Sequence, residues 1–395
     1  GGSDEIGLET EVVAAGENVA RQSPRVEIVA GDRGARAGHS PTVVGDVALA
    51  LVPESVNEAT SAVSGHQDYD SPIYDVVGIG NALVDVIGNA DDSFIENQSL
   101  VKGSMTLIDT DRALDLYRAL GTAIEMSGGS AANTVCGVAS FGGRAAYIGK
   151  VSDDDLGQVF GHDLLAVGVH FSPGRPLDGI PTGRCIIVVT PDAQRTMNTY
   201  LGVSSYMEPS DVNAAVVAAG KVLYMEGYLF DRDDAKAAFR RAARVAHEAG
   251  REVSLSLSDS FCVDRHRDDF RALVEDEVDI LFGNEDELLS LYLTDTFESA
   301  VASVRRDSSL AVITRGPLGA SVITRDEIIE VPAQPVHRVI DTTGAGDLYA
   351  AGFLFGYTNG RSLYECGVLG AIAAGEVISH VGPRPLVELR TLVQE

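Results

Sequence analysis

A chain of 395 residues, 45% of them hydrophobic, can bury the core of one large α/β domain or of two domains, and no apolar run in it reaches membrane-spanning length. The formal charge of −28, from 58 acidic against 30 basic residues, is spread along the chain, which argues against nucleic acid or an anionic membrane as partner. Four widely spaced cysteines (Cys136, Cys185, Cys262 and Cys366) form no Cys-x-x-Cys pair, and the histidines show no ligand spacing; this excludes a disulfide framework and a zinc site and reads as reduced thiols in a cytoplasmic protein.

In chain order, residues 1–70 contain one aromatic residue, Tyr69, and no sustained periodicity, so they are expected to form a mobile extension. The Gly1-Gly2-Ser3 start reads as a processed or appended end, and the acidic character argues against an Arg-rich transit peptide. Tyr74-Asp75-Val76-Val77-Gly78-Ile79-Gly80 is a buried-strand pattern that opens the folded domain, expected over 71–395. Strand patterns at 74–80, 145–149, 185–190, 222–227, 252–257, 279–282, 310–314 and 320–324 are predicted. Helical patterns at 131–141, 155–167, 211–219, 233–249, 267–276, 285–292, 298–306, 346–358 and 363–380 alternate with them. This order predicts a mostly parallel sheet covered on both faces. The stretches 82–127 and 170–207 are less helical and more broken by turns, and parts of them are expected to form a small lid over the carboxyl edge of the sheet, where open α/β sheets hold ligands.

Near the C-terminal end, Asp341-Thr342-Thr343-Gly344-Ala345-Gly346-Asp347 sets a turn of small residues and a carboxylate at a helix start. The N–H groups of Gly344, Ala345, Gly346 and Asp347 can converge there as an anion site, and Asp347 supplies a base. Alone, such a turn also fits an ordinary loop with Asp as helix cap. Two other nucleotide motifs fail. Leu83 stands where the third Gly of a dinucleotide fingerprint belongs, and the run from Gly143 to Lys150 is one residue too long between its glycines and is followed by Val151 instead of Ser or Thr.

Three further clusters accompany the turn. Gly80-Asn81-Ala82-Leu83-Val84-Asp85 follows the first strand; Gly128-Gly129-Ser130-Ala131-Ala132-Asn133 opens a helix; and Asp279 to Glu287 runs from a strand into an Asn284-x-x-Glu287 helix start. In this order the four resemble the ribokinase-like family of carbohydrate and nucleoside kinases, also called the PfkB family, over roughly residues 73–385. Within it, the stretches 80–85, 181–185, 255–261 and 278–285 are most similar to adenosine kinases, whereas Thr343 and the run Gln194-Arg195-Thr196-Met197-Asn198 depart from that pattern.

The resemblance implies a three-layer α/β sandwich with a mostly parallel central sheet and a β-rich lid. It implies an ATP- and Mg²⁺-dependent kinase with Asp347 as general base and Gly344, Ala345 and Gly346 as the anion hole. Arg195 matches the family's lid arginine, and an exposed turn arginine is its rival reading. Asn81, Asp85, Gly128, Gly129 and Asn133 are implied at the ribose hydroxyls, and Asn284 and Glu287 would hold Mg²⁺ through its waters. Thr314, Arg315, Gly316 and Gly319 match the turn that flanks ATP. Asp341 and Thr343 match positions that hold a monovalent cation, which makes potassium a candidate activator. Phe171, Tyr200 and Tyr206 are expected to form an aromatic slot in the lid. The function expected is 5′-phosphorylation of a ribonucleoside, adenosine first, by a monomer or homodimer. The alternatives are a kinase for ribose, fructose or a related sugar acid, and a catalytically silent binding protein of the same fold.

Overall fold

A computed structural model describes residues 71–192 and 194–393; the extension expected over 1–70 lies outside them. Fourteen strands are formed by the described residues: β1 (Tyr74–Ile79), β2 (Leu83–Asn89), β3 (Met105–Leu107), β4 (Ala123–Gly128), β5 (Ala145–Gly149), β6 (His170–Pro173), β7 (Gly183–Val189), β8 (Arg195–Tyr200), β9 (Gly220–Glu226), β10 (Glu252–Ser256), β11 (Ile280–Asn284), β12 (Leu310–Thr314), β13 (Ala320–Thr324) and β14 (Ile328–Val331). The helices are α1 (Asp92–Asn97), α2 (Thr110–Ala119), α3 (Ser130–Ser140), α4 (Asp155–Ala166), α5 (Ala214–Ala218), α6 (Asp233–Glu248), α7 (Ser260–Asp276), α8 (Glu285–Tyr292), α9 (Phe297–Asp307), α10 (Ala345–Thr358) and α11 (Leu363–Val377).

The larger sheet runs β14-β13-β12-β11-β10-β9-β1-β5-β6. It is parallel from β12 to β6, with β13 and β14 added antiparallel at one edge. Its apolar runs feed two cores because successive side chains leave opposite faces. Val76, Tyr147, Val222 and Phe282 join one core with α3, α10 and α11, while Val77, Ile148, Leu223 and Leu281 join the other with α6, α7, α8 and α9. The expected three-layer sandwich results, with loops and helix starts gathered at the carboxyl edge. No helix among the described residues is long and apolar enough to cross a membrane.

The second sheet, β3-β8-β7-β2-β4, is the lid. Its back face is a genuine core: Val84, Val86, Ile186 and Val188 are buried with Ala113 and Leu116 of α2. Its front face follows from register. Asp85 stands opposite Met126 and Cys185, Cys185 opposite Thr199, Ile187 opposite Met197, and Val189 opposite Arg195.

Three expectations change here. The stretch 82–127 holds two helices, α1 and α2; Asp109 caps α2 by accepting from the Arg112 N–H, and Ala113 and Leu116 recur at helical spacing. Phe171 is not in the lid. It lies on β6 at the edge of the large sheet, with its ring 5.2 Å from Phe160 and 6.2 Å from Tyr147. Tyr206 carries the Arg232 guanidinium 4.2 Å above its ring, and Tyr200, one residue beyond the front-facing Thr199, is turned to the back face.

Candidate active site

The start of α10 is built to receive a negative group. Its N-cap is Gly344 at φ 80°, a left-handed conformation that a side chain would strain, and no side chain caps the helix. The first intrahelical bond runs from the Leu348 N–H to the Gly344 carbonyl, and the Ala345 N–H turns back to Thr342 at 3.2 Å. The N–H groups of Gly346 and Asp347 are left for a ligand, at the positive end of a buried helix. The turn before it is clamped by Asp341, which accepts from the Thr343 N–H (3.0 Å), the Thr343 hydroxyl (2.7 Å) and the Gly382 N–H (3.0 Å).

Arg195, at the start of β8, reaches across from the lid to 2.8 Å from the second Asp341 oxygen. Its side chain is only 8% exposed, yet none of its three nitrogens makes an aligned hydrogen bond. A buried guanidinium with unmet donors beside an open helix start fits a phosphate, whose oxygens satisfy both. The exposed-turn reading of Arg195 therefore fails.

Asp347 is half-buried at the mouth of the cleft. Its two oxygens accept from the Ser130 hydroxyl at 2.6 Å and the Asn133 amide at 2.9 Å, both on α3. Burial raises its pKa, and these two donors and the Arg384 charge oppose that shift. Asp85 differs. It is 8% exposed, accepts no hydrogen bond among the described residues, and burial raises its pKa to about 6 despite the nearby Arg384 and Arg195. Gly128 makes room for it, since a Cβ there would stand 2.5 Å from the Asp85 carboxylate. Gly129 is the N-cap of α3.

Asn81 is placed differently from the implied ribose contact. Its amide donates to Glu226 at 3.0 Å and its amide oxygen accepts from the Ser204 hydroxyl at 3.0 Å, so both ends tie the turn after β1 to the protein. Glu226, at the carboxyl end of β9, also accepts from the Asn81 N–H (3.2 Å) and the Ala131 N–H (2.8 Å). Burial pushes it to about 7.

On the donor side, Asn284 and Thr314 are register neighbours at the ends of β11 and β12. Asn284 and Glu287 form a reciprocal capping box: the Glu287 N–H donates to the Asn284 amide oxygen (2.9 Å), and the Asn284 amide and N–H donate to Glu287 (2.7 and 3.0 Å). Glu287 has no Lys or Arg partner among the described residues, and burial together with Asp259, Asp286 and Asp347 lifts it to about 7. No three acidic, His or Cys side chains among the described residues are grouped to hold a bare metal. This donor set fits a hydrated Mg²⁺ and not a dehydrated one. The monovalent-cation reading fits less well, because protein donors and Arg195 already engage both Asp341 oxygens. Arg315 is turned aside, with its Nε donating to Glu285 at 2.9 Å and its guanidinium 4.0 Å over Phe297. Gly316 and Gly319 shape that turn, closed by the Arg315 N–H on the Gly319 carbonyl at 2.7 Å.

The chain matches the pfkB family of carbohydrate kinases over residues 76–389. It belongs to that family. A solved adenosine kinase from Sinorhizobium meliloti is 55% identical, with a TM-score of 0.75 over 81% of this chain and 98% of that one. A probable sugar kinase from Rhizobium etli CFN 42 is 49% identical, with a TM-score of 0.76 over the same shares. The adenosine kinase of Saccharomyces cerevisiae is 26% identical over 78% of this chain and 96% of its own length. The protein is thus an ATP-dependent kinase that phosphorylates a hydroxyl group.

Three residues of this kinase's site went unread in sequence: Ser130, Glu226 and Arg384. Glu226 had a signal, a carboxylate ending an apolar strand just before Gly227. Arg384 had none, since Gly382-Pro383-Arg384-Pro385 reads only as a turn.

Proposed function

We propose that this kinase phosphorylates the 5′-hydroxyl of a ribonucleoside, converting adenosine to AMP. The observation that carries the reading is Asp85, a buried carboxylate without a donor, set in an apolar lid face. Two vicinal hydroxyls are the donors that such a carboxylate lacks. Beyond it, Met126, Met197 and Ile187 share the face in register, and Met105, Leu107 and Ile124 extend it while 45%, 48% and 69% exposed. An aromatic base attached to the ribose covers such a surface; a free sugar leaves it in water. The base slot is therefore aliphatic and Met-rich. The 55% identity to a protein named adenosine kinase supports the same reading.

In the reaction, ATP supplies the phosphoryl group and Mg²⁺ balances the charge on its phosphates. Asp85 and the Gly128 backbone hold the ribose so that the 5′-hydroxyl meets Asp347, which takes its proton. The Gly346 and Asp347 N–H groups and the Arg195 guanidinium receive the negative oxygens of the transferring group. Asn284 and Glu287 would hold the hydrated Mg²⁺, with Thr314 beside them.

The test is turnover with ATP across adenosine, ribose and fructose. Adenosine should exceed ribose in kcat/KM by at least about 10²-fold, since covering a base with apolar side chains contributes roughly 2–3 kcal/mol by burial. Ribose or fructose turned over as well as adenosine would sink the nucleoside assignment and leave the Asp347 chemistry standing.

A further inference from the structure

Arg384 lies in the turn after α11, far in sequence from the motifs of the site, and no role in the reaction above uses it. Its Nε donates to the Asn133 amide oxygen at 2.7 Å, and its Nη2 donates to the Ser127 carbonyl and hydroxyl at 3.1 and 3.2 Å. The other end of the Asn133 amide donates to Asp347 at 2.9 Å. A guanidinium can only donate and a carboxylate can only accept, so an amide between them has one orientation available. We propose that Arg384 is a positioning residue for the phosphoryl transfer, locking Asn133 so that its NH₂ always faces Asp347. Without Arg384 the amide is free to turn, which presents its oxygen to the carboxylate and removes a donor that the base relies on.

The setting gives this lock a purpose. Asp347 is faced by Asp85 of β2, by Tyr224 and Glu226 of β9, by Tyr228 in the turn after β9, and by Glu287 of α8. The charge on Asp347 raises the pKa of Asp85, Glu226 and Glu287, and burial opposes ionisation of Asp347 itself. Ser130 and Asn133 of α3 and the charge of Arg384 are what counter that burial. A general base must be ionised to accept a proton, so the lock keeps Asp347 competent toward lower pH.

This inference rests on Asp347 being the base and is tested apart from the choice of acceptor. In the full-length kinase, Arg384→Met and Arg384→Gln are compared with wild type by NMR titration of the ¹³C-labelled Asp347 carboxyl, assigned by its loss in Asp347→Asn. Arg384→Met should move that titration upward by about one pH unit, and Arg384→Gln by less, because a Gln amide can still donate to Asn133. The acid limb of kcat/KM for adenosine should move with it, so that the variants lose turnover on the acid side of the profile and recover it in alkali. A merely structural Arg384 predicts an equal loss at every pH. That result, or an unmoved carboxyl titration in a variant that melts like wild type, overturns the proposal. If adenosine is not an acceptor, the carboxyl titration still decides, and the two failures stay distinct.

Discussion

Asp347, half-buried, and Asp85, buried, are carboxylates on opposite walls of one cleft, and the protein treats them in opposite ways. Asp347 receives two hydrogen bonds from α3, whereas Asp85 receives none among the described residues. The Asp347 carboxylate has its donors before any ligand arrives, while the Gly346 and Asp347 N–H groups beside it stay open. The lid wall is left incomplete in its hydrogen bonding, with Asp85 lacking donors and Arg195, though ion-paired with Asp341, making no aligned hydrogen bond. Preorganisation favours catalysis at the first, and unmet hydrogen-bonding groups give specificity at the second, because a ligand without the matching groups leaves them buried and unpaired.

The largest expected effect breaks the Asp347 wall. Asp347→Asn should lower kcat by about 10²–10⁴-fold while ATP binding, measured by calorimetry, and the melting temperature stay close to wild type. An amide can still accept from Ser130 or Asn133, so the architecture survives while the base is lost. Near wild-type turnover would falsify the base assignment.

Breaking the lid wall should act on the acceptor instead. Asp85→Ala should reduce kcat/KM by about 10²-fold for adenosine and ribose alike, since both carry the diol. A loss confined to adenosine would place Asp85 against the base and not the sugar. Arg195→Met should reduce turnover by roughly tenfold or more through the phosphate, and should also lower the melting temperature because it removes the ion-pair partner of the nearly buried Asp341. A variant that keeps full turnover would return Arg195 to a structural partner of Asp341.

The smallest effect is one of stability and sharpens the comparison most. Asp85 rises from the usual carboxylate value to about 6 in the folded chain. Its folded pKa is the higher one, so its contribution favours folding below about pH 4 and is lost as pH rises toward 6. Asp85→Asn should therefore stabilise the free kinase by about 1–3 kcal/mol at pH 8, with the gain vanishing below pH 4. Denaturant unfolding at the two pH values checks this. A gain that is the same at both would mean the carboxylate is not held at a cost.

Much of the scaffold was legible because its signals are local. The β1 run, the Asn284-x-x-Glu287 helix start and the small-residue turn before α10 each fit within a few neighbouring residues, and all fall where read. The lid was less legible. Strand β2 resumes after a three-residue break, and its Val84-Asp85-Val86 alternation goes unread as a strand because a carboxylate interrupts the apolar pattern. Phe171 was assigned by its place in a turn-rich stretch, whereas packing against Phe160 puts it in the main core. Arg195 could be matched to a position but not to an environment, since exposure is a property of the folded surface.

By itself, the sequence determined the family and the three-layer architecture and marked the residues proposed for the reacting centre, because strand and helix periodicity and glycine turns are encoded over short spans. Tertiary structure alone decided which carboxylate is satisfied and which is not. It also decided that the front face of the small sheet is aliphatic and Met-rich and that Arg384 stands behind Asn133 and Asp347. The bonds responsible join residues far apart in the chain, 214 positions between Asn133 and Asp347 and 251 between Asn133 and Arg384, and no local pattern specifies which distant donor closes on which acceptor.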